Sequence, residues 1–128
     1  MATADSIQVV NAWQDALNRQ DADALLALSD PNIEIIGPRG SAFGREVLRA
    51  WLERAGLKLT TLHVFARDEH VVIAQQGVWQ SAETGGLPSQ ANVASHFVVI
   101  DRHVTSYARF DDLVVALKAA GLTEADLC

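Results

Sequence analysis

Three polar side chains indicate possible chemistry by their type and by the apolar residues around them. His96 is followed by phenylalanine and valines, and its imidazole can donate a hydrogen bond or transfer a proton near neutral pH. Glu34 stands beside isoleucines, and a carboxyl group buried in such surroundings needs either a cationic partner such as Arg109 or a proton of its own. These residue types are suited to acid–base chemistry, because a carboxylate can act as base, an imidazole can transfer a proton and a guanidinium can position an anion.

Structural roles for the same side chains stay open at this point. His96 as an imidazole satisfied by a backbone carbonyl is one alternative, and a Glu34–Arg109 pair that only clamps two strands is another. The histidines show no His-x-His or His-x3-His spacing, and no close carboxylate completes a zinc set. We therefore expect neither a metal nor another cofactor. The other histidines are expected to be ordinary sheet, turn and solvated residues: His63, His103 and His70.

Helical and strand periodicities follow one another along the chain in an order typical of an α+β fold. Two helices come first, then a short strand, a third helix, four long antiparallel strands and a last helix. A strongly curved sheet wrapped around the long first helix would leave a hollow at its wide end, where a ligand site is expected. The predicted ranges are 5–20, a short helix after Asp21, 32–36, a helix from Gly44 to Gly56, 57–67, 71–80, 92–100, 103–110 and 112–120, with loops at 37–40 and 83–88.

Length and composition limit the number of domains and the class of partner. The 128 residues suffice for a single core, so we expect one domain over residues 1–128. The net charge of −6 and the pI near 5.0 argue against nucleic acid and against an anionic membrane surface as partners. Neither a secretory signal nor an apolar run of about 20 residues occurs, so we expect a cytoplasmic location. Cys128 is the only cysteine, which excludes an internal disulfide.

Two stretches of the chain carry a resemblance to a known fold. They run from Trp13 to Gly56, WQDALNRQDADALLALSDPNIEIIGPRGSAFGREVLRAWLERAG, and from Ser95 to Asp112, SHFVVIDRHVTSYARFDD. This layout resembles the cone-shaped α+β barrel of the nuclear transport factor 2-like superfamily. The superfamily includes ketosteroid isomerases, limonene epoxide hydrolases and SnoaL-like polyketide cyclases. The resemblance implies a curved antiparallel or mixed sheet around the N-terminal helices.

The resemblance also implies which residues face the hollow. Ile36 takes the place of the base carboxylate of the isomerases and of an asparagine in the epoxide hydrolases, and Glu34 takes the place of a tyrosine. Arg109 stands where the epoxide hydrolases carry a catalytic aspartate. Gln76 and Val78 stand where those enzymes carry a paired Arg-x-Asp. Standard epoxide hydrolysis is therefore not expected.

Two further positions follow from the same comparison. His96 falls where the isomerases place a protonated aspartic acid, and Trp13 falls where they place a tyrosine donor. The resemblance therefore implies that Glu34, His96 and Arg109 converge in one cavity as catalytic residues. Their expected roles are Glu34 as base or water activator, His96 as proton shuttle or oxyanion donor, and Arg109 as positioning group. The substrate-binding residues implied around them are Trp13, Ile36, Gln76, Val78 and Tyr107.

Two classes of function are consistent with these residues. The first is a cofactor-independent enzyme of isomerase, cyclase, lyase or hydrolase type that acts on a small, largely apolar organic molecule. The alternative is a ligand-binding or association module without catalysis, which the loss of carboxylates at Ile36 and Arg109 favours. A homodimer through the outer sheet face is also expected, because residues 71–73 and 97–100 are apolar on both strand parities.

Overall fold

The computed structural model describes residues 3–37, 40–55, 57–80 and 88–127. Predictions made for Gly56, Cys128 and the greater part of the 83–88 loop lie outside these residues. The elements are α1 (Thr3–Asn18), α2 (Ala22–Ala27), β1 (Ser29–Gly37), β2 (Gly40–Phe43), α3 (Arg45–Ala55), β3 (Leu57–Arg67), β4 (His70–Gln80), β5 (Pro88–Ile100), β6 (His103–Phe110), α4 (Leu113–Ala120) and a final 3-10 turn (Glu124–Asp126). Among the helices described, none is both long and apolar enough to span a membrane.

The strands form one curled, mixed sheet in the order β2-β1-β6-β5-β4-β3. Strand β1 runs parallel to β6, and every other neighbouring pair is antiparallel. The predicted α+β half-barrel is therefore confirmed. Strand β2 was not predicted, because its four residues are all exposed and show no apolar alternation.

The inner face of the sheet, defined here as the face that α1 covers, carries the larger core. Helix α1 places an apolar residue on this face at every third or fourth position, and Val10, Trp13 and Leu17 are fully buried. They belong to one cluster with Ile73 of β4 and Phe97 of β5. Helices α2 and α3 add buried leucines to the same cluster, so three helices enclose this face.

Helix α4 begins and ends at well-defined caps. The Asp112 side chain accepts a hydrogen bond from the backbone N–H of Val114 at 2.8 Å, which satisfies a free donor of the first turn. Gly121 ends the helix with φ 72°, a left-handed conformation that glycine adopts without steric cost. The predicted range 112–120 therefore agrees with the helix within one residue.

The outer face, on the other side of the sheet, is partly covered by α4. Ala116 and Leu117 pack against Phe65, Val72 and Ala94 of strands β3, β4 and β5. The chain itself therefore buries part of the apolar surface from which a dimer was predicted. Beyond this cluster Val98 is half-buried and Ile100 is 45% exposed.

Candidate functional site

A cavity of about 520 Å³ lies where strands β1 and β6 end. Because the two strands are parallel, their carboxyl ends meet at the same edge of the sheet, with Ile36 paired to Ala108. Side chains of both parities contribute at this edge, since the wall includes consecutive residues from each strand. The lining residues are Ile35, Ile36, Trp51, Tyr107, Ala108, Arg109, Phe110 and Asp111.

Tyr107 is the polar side chain most deeply enclosed in this wall. Its ring packs among three other aromatic rings, with centroid distances of 5.0 Å to Trp13, 5.1 Å to Phe97 and 5.5 Å to Trp51. These tilted contacts fix the ring, since aromatic pairs at such distances attract each other beyond their simple burial. Tyr107 is 3% exposed.

The hydroxyl group of Tyr107 is buried without a hydrogen-bond partner among the described residues, and it is the only buried side-chain polar atom in that state there. Burial raises the pKa of Tyr107 above its usual 10.0, and the nearby Ser95 hydroxyl and Arg109 guanidinium oppose this rise only in part. The phenol therefore keeps its proton at neutral pH. A buried donor left unmatched costs about 1–3 kcal/mol, which a ligand acceptor would recover.

A chain of buried hydrogen bonds begins next to this hydroxyl and crosses the inner face. Ser95 Oγ donates to Gln75 Oε1 at 2.7 Å, Gln75 Nε2 donates to Gln14 Oε1, and Gln14 Nε2 donates to Thr61 Oγ1 at 2.8 Å. Gln75 and Ser95 are fully buried. The Ser95 proton is thereby committed to Gln75, so Ser95 Oγ does not donate it to the Tyr107 hydroxyl.

Charged and aromatic groups complete the cavity wall. Arg109 pairs with Ser95 across β5 and β6 and is exposed, so its guanidinium lies at the rim. Asp111 is exposed and lies just beyond the end of β6. Trp51 of α3 is half-buried and presents apolar surface on the opposite side.

The predicted convergence of Glu34, His96 and Arg109 in one cavity is wrong. His96 pairs with Ala108, whereas Arg109 pairs with Ser95, so His96 and Arg109 lie on opposite faces of the sheet. Glu34 pairs with Ser106, which places it on the outer face with His96. Neither Glu34 nor His96 lines the cavity.

The predicted substrate-binding residues divide into two groups. Tyr107 and Ile36 line the cavity. Trp13 does not, because it lies in the core behind Tyr107 and its indole N–H donates to Ser29 Oγ at 2.9 Å. Gln76 and Val78 also lie away from the cavity, on the strand parity opposite to the buried Gln75.

Several residues of the site were not predicted from the sequence. Trp51, Asp111, Gln75 and Ser95 received no role. The Gln75–Gln76 doublet gives no sign of which member faces inward, because residues 71–74 before it are apolar on both parities. Helical spacing is the available signal for Trp51, because Leu48 and Leu52 lie three residues before it and one residue after it on the apolar face of α3.

Comparison with known proteins establishes the family. A family profile described as the SnoaL-like domain matches residues 10–107. The chain belongs to the SnoaL-like domain family. A search of curated proteins finds no match.

Solved structures share the fold of this SnoaL-like domain. An NTF2-like protein from Burkholderia xenovorans LB400 is 23% identical, with 94% of this chain and 98% of that chain covered and a TM-score of 0.73. Bal32a, from a soil-derived mobile gene cassette, is 24% identical over 88% and 93%, with a TM-score of 0.76. An LEH-like epoxide hydrolase of M. tuberculosis is 22% identical over 92% and 90%, with a TM-score of 0.73. At these identities the likeness shows the fold alone.

A pair of histidines occupies the outer face of the SnoaL-like domain, away from the cavity. His70 Nδ1 lies 3.0 Å from His96 Nε2, and the two rings stack with centroids 5.3 Å apart. On the far side of the His70 ring, Nε2 lies 3.8 Å from Glu69 Oε1. His70 was predicted to be a solvated turn residue, but its ring contacts His96 and is half-buried.

Acid is expected to destabilise the domain through His96. Burial, and secondarily the neighbouring His70, lower the pKa of His96 from 6.5 to about 4. Below pH 6.5 the unfolded chain therefore binds a proton at His96 that the folded chain binds only near pH 4. The free energy of unfolding is highest above pH 6.5, falls as the pH decreases, and the contribution of His96 to this fall ends near pH 4. Urea unfolding across this window should show a smaller fall for His96→Gln than for the wild type.

The matched control for this titration is His63→Gln, because His63 is exposed. Its stability should follow the wild-type pH profile, with carboxylate titration common to all three proteins. Parallel profiles for the wild type and His96→Gln would show that His96 does not contribute. A chelator in the buffer keeps metal ions out of the comparison.

Proposed function

We propose that the cavity at the ends of β1 and β6 binds a small organic molecule with an apolar body and a hydrogen-bond acceptor oxygen. The observation that carries this proposal is the Tyr107 hydroxyl, a buried donor without a partner among the described residues, in the wall of the cavity. Such a donor is satisfied when a ligand oxygen approaches it.

The size and lining of the cavity support this class of ligand. About 520 Å³ lies within the range of about 300–1,000 Å³ that is usual for small-molecule sites. Ile35, Ile36 and Trp51 provide apolar walls, and the polar groups are few and lie together near the end of β6. An apolar ring system with one carbonyl or enol oxygen matches this distribution.

The same groups support cofactor-independent acid–base chemistry at that oxygen. A protonated phenol in a dry wall stabilises negative charge that develops on a carbonyl oxygen, and the Arg109 guanidinium near it adds to this stabilisation. Asp111 is the carboxylate on the wall, and we assign it the role of proton acceptor. The reaction class is isomerisation, cyclisation or a related proton transfer next to a carbonyl. Glu34 and His96 have no part in this mechanism, since neither lines the cavity.

Binding without turnover is the second candidate function. It is favoured by the exposure of Asp111, because an exposed carboxylate is hydrated and must lose water before it can accept a proton from a substrate carbon. We also propose a homodimer through the outer sheet face. The exposed Ile100 and the half-buried Val98 support it, although α4 covers the neighbouring part of the outer face.

Tyr107→Phe tests the proposal through two readouts with opposite signs. Loss of the unpartnered hydroxyl should leave the free energy of unfolding unchanged or raise it by about 1 kcal/mol. Affinity for cyclic ketones, β-diketones and phenols, measured by quenching of tryptophan fluorescence, should fall by about tenfold because one hydrogen bond is lost. The matching hydrocarbons should bind the two proteins equally.

Asp111→Asn then separates the enzyme from the binding protein. Turnover of a bound β-diketone, followed as hydrogen–deuterium exchange at its acidic carbon, should be abolished while binding is retained. Exchange at the same rate in both proteins would remove Asp111 from the mechanism. A Tyr107→Phe variant that binds ketones as the wild type does would contradict the proposed site itself.

A further inference from the structure

We propose that His70 and His96 together form a binding site for a divalent transition metal on the outer face, with Cu²⁺ as the preferred ion. His70 Nδ1 and His96 Nε2, on adjacent strands, share a hydrogen bond at 3.0 Å, and the metal ion would take the place of the shared proton, which moves to the outer nitrogen of the donor ring. This site is separate from the cavity and does not depend on the proposed function.

The separation of the two nitrogens matches a pair of neighbouring metal ligands. Imidazole nitrogens about 2.1 Å from one ion and 3.0 Å apart form an angle of about 90° at the metal. That angle is typical of the tetragonal geometry of Cu²⁺, and a small side-chain rotation would give the nitrogen separation of about 3.3–3.4 Å that tetrahedral Zn²⁺ needs. Cu²⁺ is also the divalent ion of the first transition row that nitrogen ligands bind most strongly.

The strand register holds the two imidazoles in this position. His70 pairs with Val98 and His96 pairs with Val72, so the histidines are diagonal neighbours on one face of β4 and β5. The turn before His70 is itself anchored, because Ser6 Oγ donates to the carbonyl of Asp68 at 2.8 Å. The backbone N–H of Val99 also donates to the carbonyl of Glu69 at 2.9 Å. A site that is already formed loses little conformational freedom on binding.

Glu69 provides the outer partner that a ligating histidine usually has. Each histidine must present a lone pair to the metal, so its proton lies on the nitrogen that faces away. For His70 that nitrogen is Nε2, and Glu69 Oε1 lies 3.8 Å from it, close enough to contact the N–H after a small rotation. The His70 side chain is 36% exposed, which leaves room for water at the remaining metal positions.

The site has two protein ligands, since the described residues contain no group of three or more His, Cys, Asp or Glu side chains suited to a metal ion. Selectivity therefore depends on the affinity order of the metals for nitrogen ligands. The Glu69 carboxylate also favours a cation nearby, and it partly offsets the exposure of the site to solvent.

Cu²⁺ titration of the untagged domain tests this inference. All proteins carry Cys128→Ser, because a thiol would itself bind or reduce copper. We expect one Cu²⁺ per chain by calorimetry at neutral pH, with nitrogen hyperfine structure from two ligands in the electron paramagnetic resonance spectrum. His70→Gln and His96→Gln should each weaken binding at least about tenfold, because loss of an outer partner alone costs about 10–100-fold. Glu69→Gln should weaken it by about tenfold.

His63→Gln is the matched control, since it removes an exposed histidine from the same sheet and should leave Cu²⁺ affinity unchanged. Circular dichroism of every variant verifies the fold. Because His70 is partly exposed, His70→Gln is expected to disturb the fold less than His96→Gln. Equal Cu²⁺ affinity in the wild type and in His70→Gln would overturn the inference. So would binding that His63→Gln weakens as much as His70→Gln does, or tighter binding of Zn²⁺ than of Cu²⁺.

Discussion

Gln75→Leu is expected to lower the free energy of unfolding by about 2–4 kcal/mol, although leucine is close to glutamine in size and more apolar. Gln75 is fully buried and joins two other buried groups, accepting from Ser95 Oγ and donating to Gln14 Oε1. Leucine would leave both of those groups without their partner, and each such loss costs about 1–3 kcal/mol. Urea denaturation followed by far-ultraviolet circular dichroism measures the difference.

The control for this substitution is the adjacent residue of the same type. Gln76 is half-buried and lies on the other face of β4, so Gln76→Leu should change stability by no more than about 0.5 kcal/mol. The comparison tests the strand register directly, because a shift by one residue would exchange the two results. A larger loss for Gln76→Leu than for Gln75→Leu would contradict the buried chain of hydrogen bonds.

Trp13→Ala is expected to be the most destabilising single substitution on the inner face, at about 3–5 kcal/mol. The indole is fully buried, contacts the rings of Phe97 and Tyr107, and donates to Ser29 Oγ. Its removal creates a cavity and takes a donor from a buried hydroxyl. Because small domains are stable by only about 5–15 kcal/mol, the variant should unfold at markedly lower urea concentration.

Two further tryptophan variants make this expectation specific. Trp13→Phe keeps most of the ring volume and should lose only about 1–2 kcal/mol, chiefly the hydrogen bond to Ser29. Trp51→Ala removes a half-buried ring that borders the cavity, so its cost should stay below about 2 kcal/mol. If Trp51→Ala costs more than Trp13→Ala, the assignment of Trp13 to the core behind Tyr107 is wrong.

The sequence predicted the helices and long strands well because their signals are local. Helical periodicity in α1 and the break at Asp101-Arg102 depend on neighbouring residues only. Both residues of that turn adopt positive φ, as a type I′ hairpin turn requires. By contrast, neighbouring residues do not reveal which face of the sheet each side chain of β1 occupies. Isoleucines at 33, 35 and 36 fill both faces, and the register shift between β1 and β6 after Ser29 adds an offset that no spacing reveals.

Only the part of the candidate site that depends on alternation within one strand was predicted correctly. Tyr107 and Arg109 are two positions apart on β6, so alternation along the strand puts them on one face of the sheet. The pairing of β6 with β5 agrees with this placement. Glu34 was assigned to that face from a position in related enzymes, and the error came from one residue of offset. The contact between His70 and His96 joins residues that are 26 positions apart, and only the pairing of β4 with β5 brings them together.

The parallel pairing of β1 with β6 has a consequence for the order in which the protein assembles. Ser29 pairs with Val104, which the ribosome adds 75 residues later (104 − 29), or after about 4–15 s at ordinary synthesis rates. Strands β3 to β6 join their neighbours through short connections and can form a meander, whereas the β1–β2 hairpin can join the sheet only after β6 has been made. During that interval the isoleucine-rich edge of β1 has no strand to pair with on one side. The nascent chain is therefore most exposed to misassembly, and most dependent on chaperones, through the strand that later forms one edge of the cavity.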